Sequence, residues 1–376
     1  MIRIKRANMA AIIANYRNGL TVRKGTHARI LDRMDFFQLM LDVHFGKKTF
    51  ADIRSFARLH DATKNAMMNV FLVENRRPKS LKKAKGFKFS KTSVPLLGEM
   101  QAFLTFVSAP RELDLLISGK PAQLLKLESD LKSAFSLPGM YKKLHNFIQL
   151  IIDYDGFRSK SSSYFHAYDL AAQLMVNTCP YCNAQYTFTV IDQQGETRPE
   201  LDHFYSQGEH PLLALSFYNL IPSCHICNAT FKHQLKSSVE LLNPYFSGFE
   251  NDAVFKYRFV SLHAQVTHPE NFQVSIGNVP TGKNNVQIAN CIDTFKLEKI
   301  YHMHRDQLGQ IYLKCKLYDK NYVRDFLKKF PALAGKVTAD MIYRFYFGSY
   351  RNSKDFEKQI LSKFTADIVN SFKLKF

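Results

Sequence analysis

The stretch LDHFYSQGEHPLLALSFYNLIPSCHICNATFK, Leu201 to Lys232, carries an acid–histidine pair, Asp202-His203, two asparagines, Asn219 and Asn228, and a Cys-x-x-Cys at Cys224 and Cys227. A second Cys-x-x-Cys, CPYC, stands upstream at Cys179 and Cys182. The polar residues are therefore bracketed by two pairs of thiols.

A gap of two residues lets both sulfurs of a pair turn toward one ion, and two such pairs complete a tetrahedral thiolate site suited to zinc. Four thiolates leave no coordination position for water, so Cys179, Cys182, Cys224 and Cys227 predict a structural zinc rather than a catalytic one. Cys291 and Cys315 have no partner in sequence and read as small buried hydrophobes.

Between the thiol pairs, AQYTFTVID alternates and is rich in aromatic and β-branched residues, as a strand should be. QQGETRP then reads as a turn and PELDHFYS as the returning strand, giving a hairpin with Asp202 and His203 on its second arm. On a regular strand these two neighbours face opposite ways, and both reach one site only where the strand bends or twists. Tyr181, Tyr186 and Tyr205 read as packing for the small zinc core.

The flanks are different in texture. PLLGEMQAFLTFVSAPRELDLLISG and PAQLLKLESDLKSAFSLPG carry apolar residues at helical spacing, bracketed by Pro and Gly. AVFKYRFV and NFQVSIG suggest two short strands. FKLEKIYHMHRDQLGQIYLKCKLYD and SKDFEKQILSKFTADIVNSF return to helix. The expected fold class is α+β, a mainly helical protein around a small zinc-stapled core. The expected organisation is a helical region over 1–170, the core over 171–250, and short strands followed by helices over 251–376.

Among 376 residues, 52 Lys and Arg outweigh 32 Asp and Glu, a net charge of +20 that favours a polyanionic partner, nucleic acid before membrane. RRPKSLKKAKGFKFSK, from Arg76 to Lys91, holds eight basic residues and no acid. It reads either as a solvated loop or as a loop gripping phosphates through Lys82, Lys83 and Lys85. No apolar run approaches the roughly 20 residues of a membrane span, and MAAIIA is too short for a signal-peptide core. The expected location is cytoplasmic, where cysteines stay reduced and paired spacing favours metal over disulfide.

The ordered set Asp202-His203 in ELDHF, Asn219 in YNLIPSC and Asn228 in CHICN, between two thiol pairs, resembles the HNH endonucleases, nucleases of the ββα-metal group. The resemblance covers Cys179 to Lys232. It implies a metal-dependent hydrolase of nucleic-acid phosphodiester bonds, most plainly of DNA. His203 is then the general base that deprotonates water, and Asp202 and Asn228 hold one divalent ion, magnesium or manganese. Asn219 braces the loop that orients His203, and Lys232 stands on the final helix near the phosphates. The last motif position is Asn rather than the family's His, which bears on metal preference. Chains with this core and helical flanks also resemble bacterial anti-phage defence nucleases, some partnered by an ATPase, and one active site per chain suggests a homo-oligomer for double-strand cleavage. An RNase or toxin using the same site, and a non-catalytic zinc-dependent nucleic-acid-binding module, stand as the alternatives. His210 is the nearest rival to His203.

Overall fold

The computed structural model describes residues 1–21, 29–71, 88–159, 165–233, 235, 239–261, 266–278, 284–318, 328–329 and 336–374. The chain divides into two compact units. One comprises Asn8–Gln173 and His203–Leu220 and is called the helical unit; the other comprises Met1–Ala7, Leu174–Asp202 and Ile221–Phe376 and is called the cysteine unit. In this division residues 203–220 belong to the helical unit.

The helical unit contains α1 (Met9–Thr21), α2 (Arg29–His44), α3 (Phe50–Ser55), α4 (Asp61–Phe71), α5 (Leu97–Ser108), α6 (Pro110–Ser118), α7 (Pro121–Ala134), α8 (Met140–Lys143), α9 (His145–Ile151) and α10 (Tyr154–Arg158), with α11 (Ala167–Leu174) closing it. The periodicity read across 95–119 is continuous, yet the chain forms two helices there. Pro110 has no N–H to continue the ladder of α5, and its fixed φ suits the first turn of α6. Pro121 opens α7 in the same way. The core of the unit is aromatic. The buried Tyr16 ring meets Phe157, Phe165 and Phe217 edge-on at 5.9, 5.7 and 5.5 Å, and its hydroxyl donates to the Leu215 carbonyl at 2.8 Å.

In the cysteine unit, β5 (Ala253–Phe259) and β6 (Phe272–Asn278) form the antiparallel pair expected from AVFKYRFV and NFQVSIG, in register from Ala253 opposite Asn278 to Phe259 opposite Phe272. Around them stand α12 (Asn285–Thr294), α13 (Leu297–His302), α14 (Arg305–Leu317), α15 (Ala339–Phe347) and α16 (Ser362–Ser371). Phe255, Tyr301 and Phe364 make the centre of the packing, with ring centroids 4.2 to 5.4 Å apart. Residues 1–4 thread into this unit: Ile2 N–H donates to the Pro180 carbonyl and Ile4 N–H to the Pro244 carbonyl, both at 2.8 Å.

Gly309 lets α14 touch the backbone of Thr267, since a Cβ there would stand 2.4 Å from the Thr267 carbonyl oxygen. Gly309→Ala is expected to cost about 1–3 kcal/mol of stability through overpacking, read as a lower unfolding midpoint in denaturant.

The hairpin expected from AQYTFTVID is reorganised. Its strand is β1 (Val190–Ile191), which pairs with β2 (Glu196–Thr197) inside the stretch read as a turn, and upstream Tyr186 makes an isolated antiparallel bridge with Thr178. β3 (Glu200–His203) pairs instead with β4 (Leu220–Ser223). Backbone groups of the upstream half of AQYTFTVID are consumed elsewhere: Cys179 N–H donates to the Gln185 carbonyl and Thr187 N–H to the Asn177 carbonyl, both at 2.9 Å. No helix among the described residues is long and apolar enough to cross a membrane.

Candidate functional site

The first thiol pair sits in a tight turn. Asn183 adopts a left-handed conformation with φ 52°, its N–H donates to the Cys179 carbonyl at 2.7 Å, and the next amide, Ala184 N–H, donates to Cys182 Sγ at 3.4 Å. The Asn183 side chain is fully buried and locks the turn by donating to Thr178 Oγ1 and to the Phe356 carbonyl, at 3.0 and 3.1 Å. Tyr301 holds the same turn through a 2.7 Å hydrogen bond to the Cys182 carbonyl. The second pair opens the π-helix Ile226–Lys232, where Cys227 N–H donates to Cys224 Sγ at 3.5 Å.

The four sulfurs meet. Cys179, Cys182, Cys224 and Cys227 are buried and unbridged, and their ligand atoms all lie within 4.8 Å of one another, with Cys182 and Cys224 at 4.0 Å. Zinc–sulfur bonds of about 2.3 Å set tetrahedral sulfur–sulfur separations near about 3.8 Å, so the cluster fits a metal such as zinc with small adjustments. Hydrogen bonds from Cys179, Cys182 and Cys227 hold the Cys224 thiol far below its ordinary range. Burial raises that of Cys179, and the hydrogen bond with Cys179 raises that of Cys227. A divalent ion in the cluster would take all four as thiolates. Cys291 and Cys315 are buried apart from this cluster, as expected of small hydrophobes.

Along β3, side chains from the cysteine unit pair with the π-helix in two rungs. Glu200 accepts from Asn228 Nδ2 at 2.8 Å and holds His225 Nδ1 at 2.7 Å. Two residues on, Asp202 accepts from Lys232 Nζ at 2.9 and 2.8 Å and from the Tyr181 hydroxyl at 2.6 Å. Asp202 is 4% exposed and Lys232 9%. Tyr181 is fully buried, stacked on Phe295 at 4.3 Å, and burial beside the Asp202 charge pushes its hydroxyl well above the usual range. Lys232, expected to face phosphates, is therefore turned inward, where it neutralises a carboxylate that would otherwise be buried with no counter-charge. Asp202 and Asn228, expected to share one ion, each have a different partner. Tyr186 is not core: it is 39% exposed and stacks on Phe188 at 4.7 Å.

In the helical unit, His203 Nε2 lies 3.1 Å from the Ala214 carbonyl, and the imidazole packs edge-on to Tyr154 at 4.3 Å. A carbonyl can only accept, so the contact is a hydrogen bond in the ring forms that carry a proton on Nε2. Asn219, 1% exposed, accepts from Tyr205 N–H at 2.7 Å and donates to the Leu213 carbonyl at 2.9 Å. It thereby ties Tyr205 to the segment Pro211–Leu215, whose Ala214 carbonyl meets His203 Nε2. Removing it leaves buried amide and carbonyl groups without partners. Asn219→Ala is expected to lose about 1–3 kcal/mol in chemical denaturation.

His210 is held differently from His203. Its Nδ1 lies 2.8 Å from Glu128 Oε2, and Glu128 also accepts from the Tyr141 hydroxyl at 2.5 Å and from Lys132 at 2.9 Å. Burial raises the Glu128 carboxyl, but these three donors, His210 first, outweigh it and leave the group below its ordinary value. The pairing ties α7 to the segment that begins at Pro211. Glu128 is 82 residues from His210 in sequence, and nothing local marked it. Glu200 had a local signal: it shares a strand face with Asp202, two residues on. Lys82, Lys83 and Lys85 lie outside the described residues.

Compared with protein-family models, with curated proteins and with solved structures, the chain matches none.

Proposed function

We propose that this protein is a divalent-ion-dependent endonuclease of the HNH type, hydrolysing phosphodiester bonds of nucleic acid, DNA first. The observation that carries the reading is the setting of His203. The Ala214 carbonyl, 3.1 Å from its Nε2, and the Tyr154 ring hold the imidazole in one orientation, as a group that takes a proton from an attacking water requires. Asp202 precedes it on β3, and Asn228 follows the cysteine cluster that would hold a structural zinc. The net charge of +20 suits a polyanionic substrate.

The family resemblance assigns the divalent ion, magnesium or manganese, to Asp202 and Asn228. When bound, such an ion supplies positive charge for the scissile phosphate and the leaving oxygen. The donor types fit, a carboxylate and an amide carbonyl. At Asp202 the Lys232 ammonium already provides one positive charge, so an ion there has to take its place. Zinc in the four-thiolate cluster would have no open position and would keep the π-helix against β3. We place the activity in the cytoplasm, as an effector of bacterial anti-phage defence, the setting suggested by the resemblance to defence nucleases.

The test is incubation of the purified, zinc-loaded chain with duplex DNA, single-stranded DNA and RNA, each with magnesium or manganese. Cleavage of DNA is the expected result. Cleavage of RNA alone would make the protein an RNase, and binding without cleavage of any substrate would overturn the nuclease reading. In the same preparations, neutralising Lys82, Lys83 and Lys85 is expected to lower the slope of log affinity against log salt by roughly 0.7–0.9 for each phosphate that is no longer neutralised.

A further inference from the structure

We infer that Glu200, His225 and Asn228 form a divalent-cation site, and, resting on the nuclease reading, that the ion required for cleavage is held there while Asp202 keeps Lys232. One carboxylate gathers the other two side chains: Oε1 lies 2.7 Å from His225 Nδ1 and Oε2 lies 2.8 Å from Asn228 Nδ2. Metal–ligand bonds of about 2.1 Å place adjacent ligands about 3 Å apart around an octahedral ion. The carboxylate oxygens and their partners already stand close to that spacing. Rotation of the Asn228 amide by half a turn presents its carbonyl oxygen in place of its NH2. The result is one imidazole nitrogen and one amide oxygen gathered against the two oxygens of a single carboxylate.

The framework around these side chains is fixed. Asn228 N–H donates to the Cys224 carbonyl at 3.0 Å, and His225 lies between the two thiols of the second pair. Glu200 lies on β3, whose partner β4 ends at Ser223, immediately before Cys224. The same cluster thus positions all three ligands. The site is also open, with the His225 side chain 72% and the Glu200 side chain 39% exposed, leaving room for waters and a phosphate oxygen.

Asp202 offers the opposite environment. Its side chain is 5% exposed and receives hydrogen bonds from both Lys232 and Tyr181. An ion entering there would strand a buried ammonium without its counter-charge. The imidazole in the proposed set favours manganese and other first-row divalent ions over magnesium, which prefers oxygen ligands throughout.

The test uses manganese alone on the full zinc-loaded chain, read from the loss of the free-ion electron paramagnetic resonance signal. One manganese per chain is expected. Glu200→Gln and His225→Ala are each expected to weaken it at least about tenfold, the usual scale for loss of a metal-site residue, with zinc content and circular dichroism unchanged. Asp202→Asn, zinc-loaded and folded by the same criteria, is expected to bind manganese as the parent does. If Asp202→Asn abolishes binding while Glu200→Gln and His225→Ala retain it, the ion sits at Asp202. The inference then fails and the nuclease reading stands. If the wild-type chain binds no manganese beyond the zinc cluster, the inference also fails. If manganese binds as inferred but supports no cleavage of DNA or RNA, the site stands and the nuclease reading fails.

Discussion

A Cys224→Ser variant is expected to lose its zinc and to unfold earlier than the parent. Cys224 is one of the four clustered sulfurs, and the cluster ties the turn at Cys179–Asn183 to the π-helix. Structural zinc contributes about 10–16 kcal/mol in small zinc-finger peptides, where metal binding and folding are one process. Here the cysteine unit has a second source of stability in the Phe255, Tyr301 and Phe364 packing, so only part of that energy should be lost from the whole unit. A loss of several kcal/mol corresponds to a fall in melting temperature on the order of 10 °C, at about 2–4 °C per kcal/mol for a unit of this size. Elemental analysis and calorimetry on the same preparation read both quantities. Retention of one zinc per chain with an unchanged melting temperature would show that the four thiols do not act as one metal site.

His203→Ala is expected to reduce cleavage by about 10²–10⁴-fold, the usual contribution of a positioned general base. The substitution removes the imidazole and its contact with the Ala214 carbonyl, and leaves the cysteine cluster, Asp202 and Lys232 in place. Zinc content and nucleic-acid affinity should therefore be maintained, and single-turnover kinetics should show the loss in the cleavage step. A variant that cleaves at the parental rate would remove His203 from the chemistry. Because the ring also packs on Tyr154, calorimetry on the variant separates a lost base from a loosened helical unit.

The parts of this arrangement that could be read from the sequence are those fixed by short-range rules. Two Cys-x-x-Cys pairs leave little choice about where their sulfurs point, and the four meet as the spacing predicts. The alternation of AVFKYRFV and NFQVSIG is that of an antiparallel pair with one covered face, and it forms. Helical periodicity located α5, α6 and α7, with Pro110 dividing what reads as one stretch. What could not be read depends on partners distant in sequence. AQYTFTVID has strand composition, but the thiol turn takes its backbone groups, and β3 pairs with LIPS, a segment whose Pro222 argues against a strand. Proline is tolerated there because a two-stranded sheet has an edge on each side. The inward turn of Lys232 was equally hidden. A lysine four residues after Asn228 reads as a phosphate contact until its buried partner Asp202, 30 residues earlier, is known. Glu128 and His210 form the same kind of long-range pair in the helical unit.

Two metals with separate duties are central to this account: structural zinc in the thiolate cluster, and a second, exchangeable divalent ion beside β3 that cleavage requires. The most direct measurement is cleavage of supercoiled DNA by the zinc-loaded chain before and after brief EDTA treatment, with zinc quantified in each sample. Buried four-thiolate zinc should survive the treatment, whereas an ion held at an exposed site should leave at once. The account predicts one zinc per chain throughout, loss of cleavage on EDTA treatment, and recovery when manganese or magnesium is added. Cleavage that persists in EDTA, or that rises and falls with zinc content and ignores added manganese and magnesium, would contradict it.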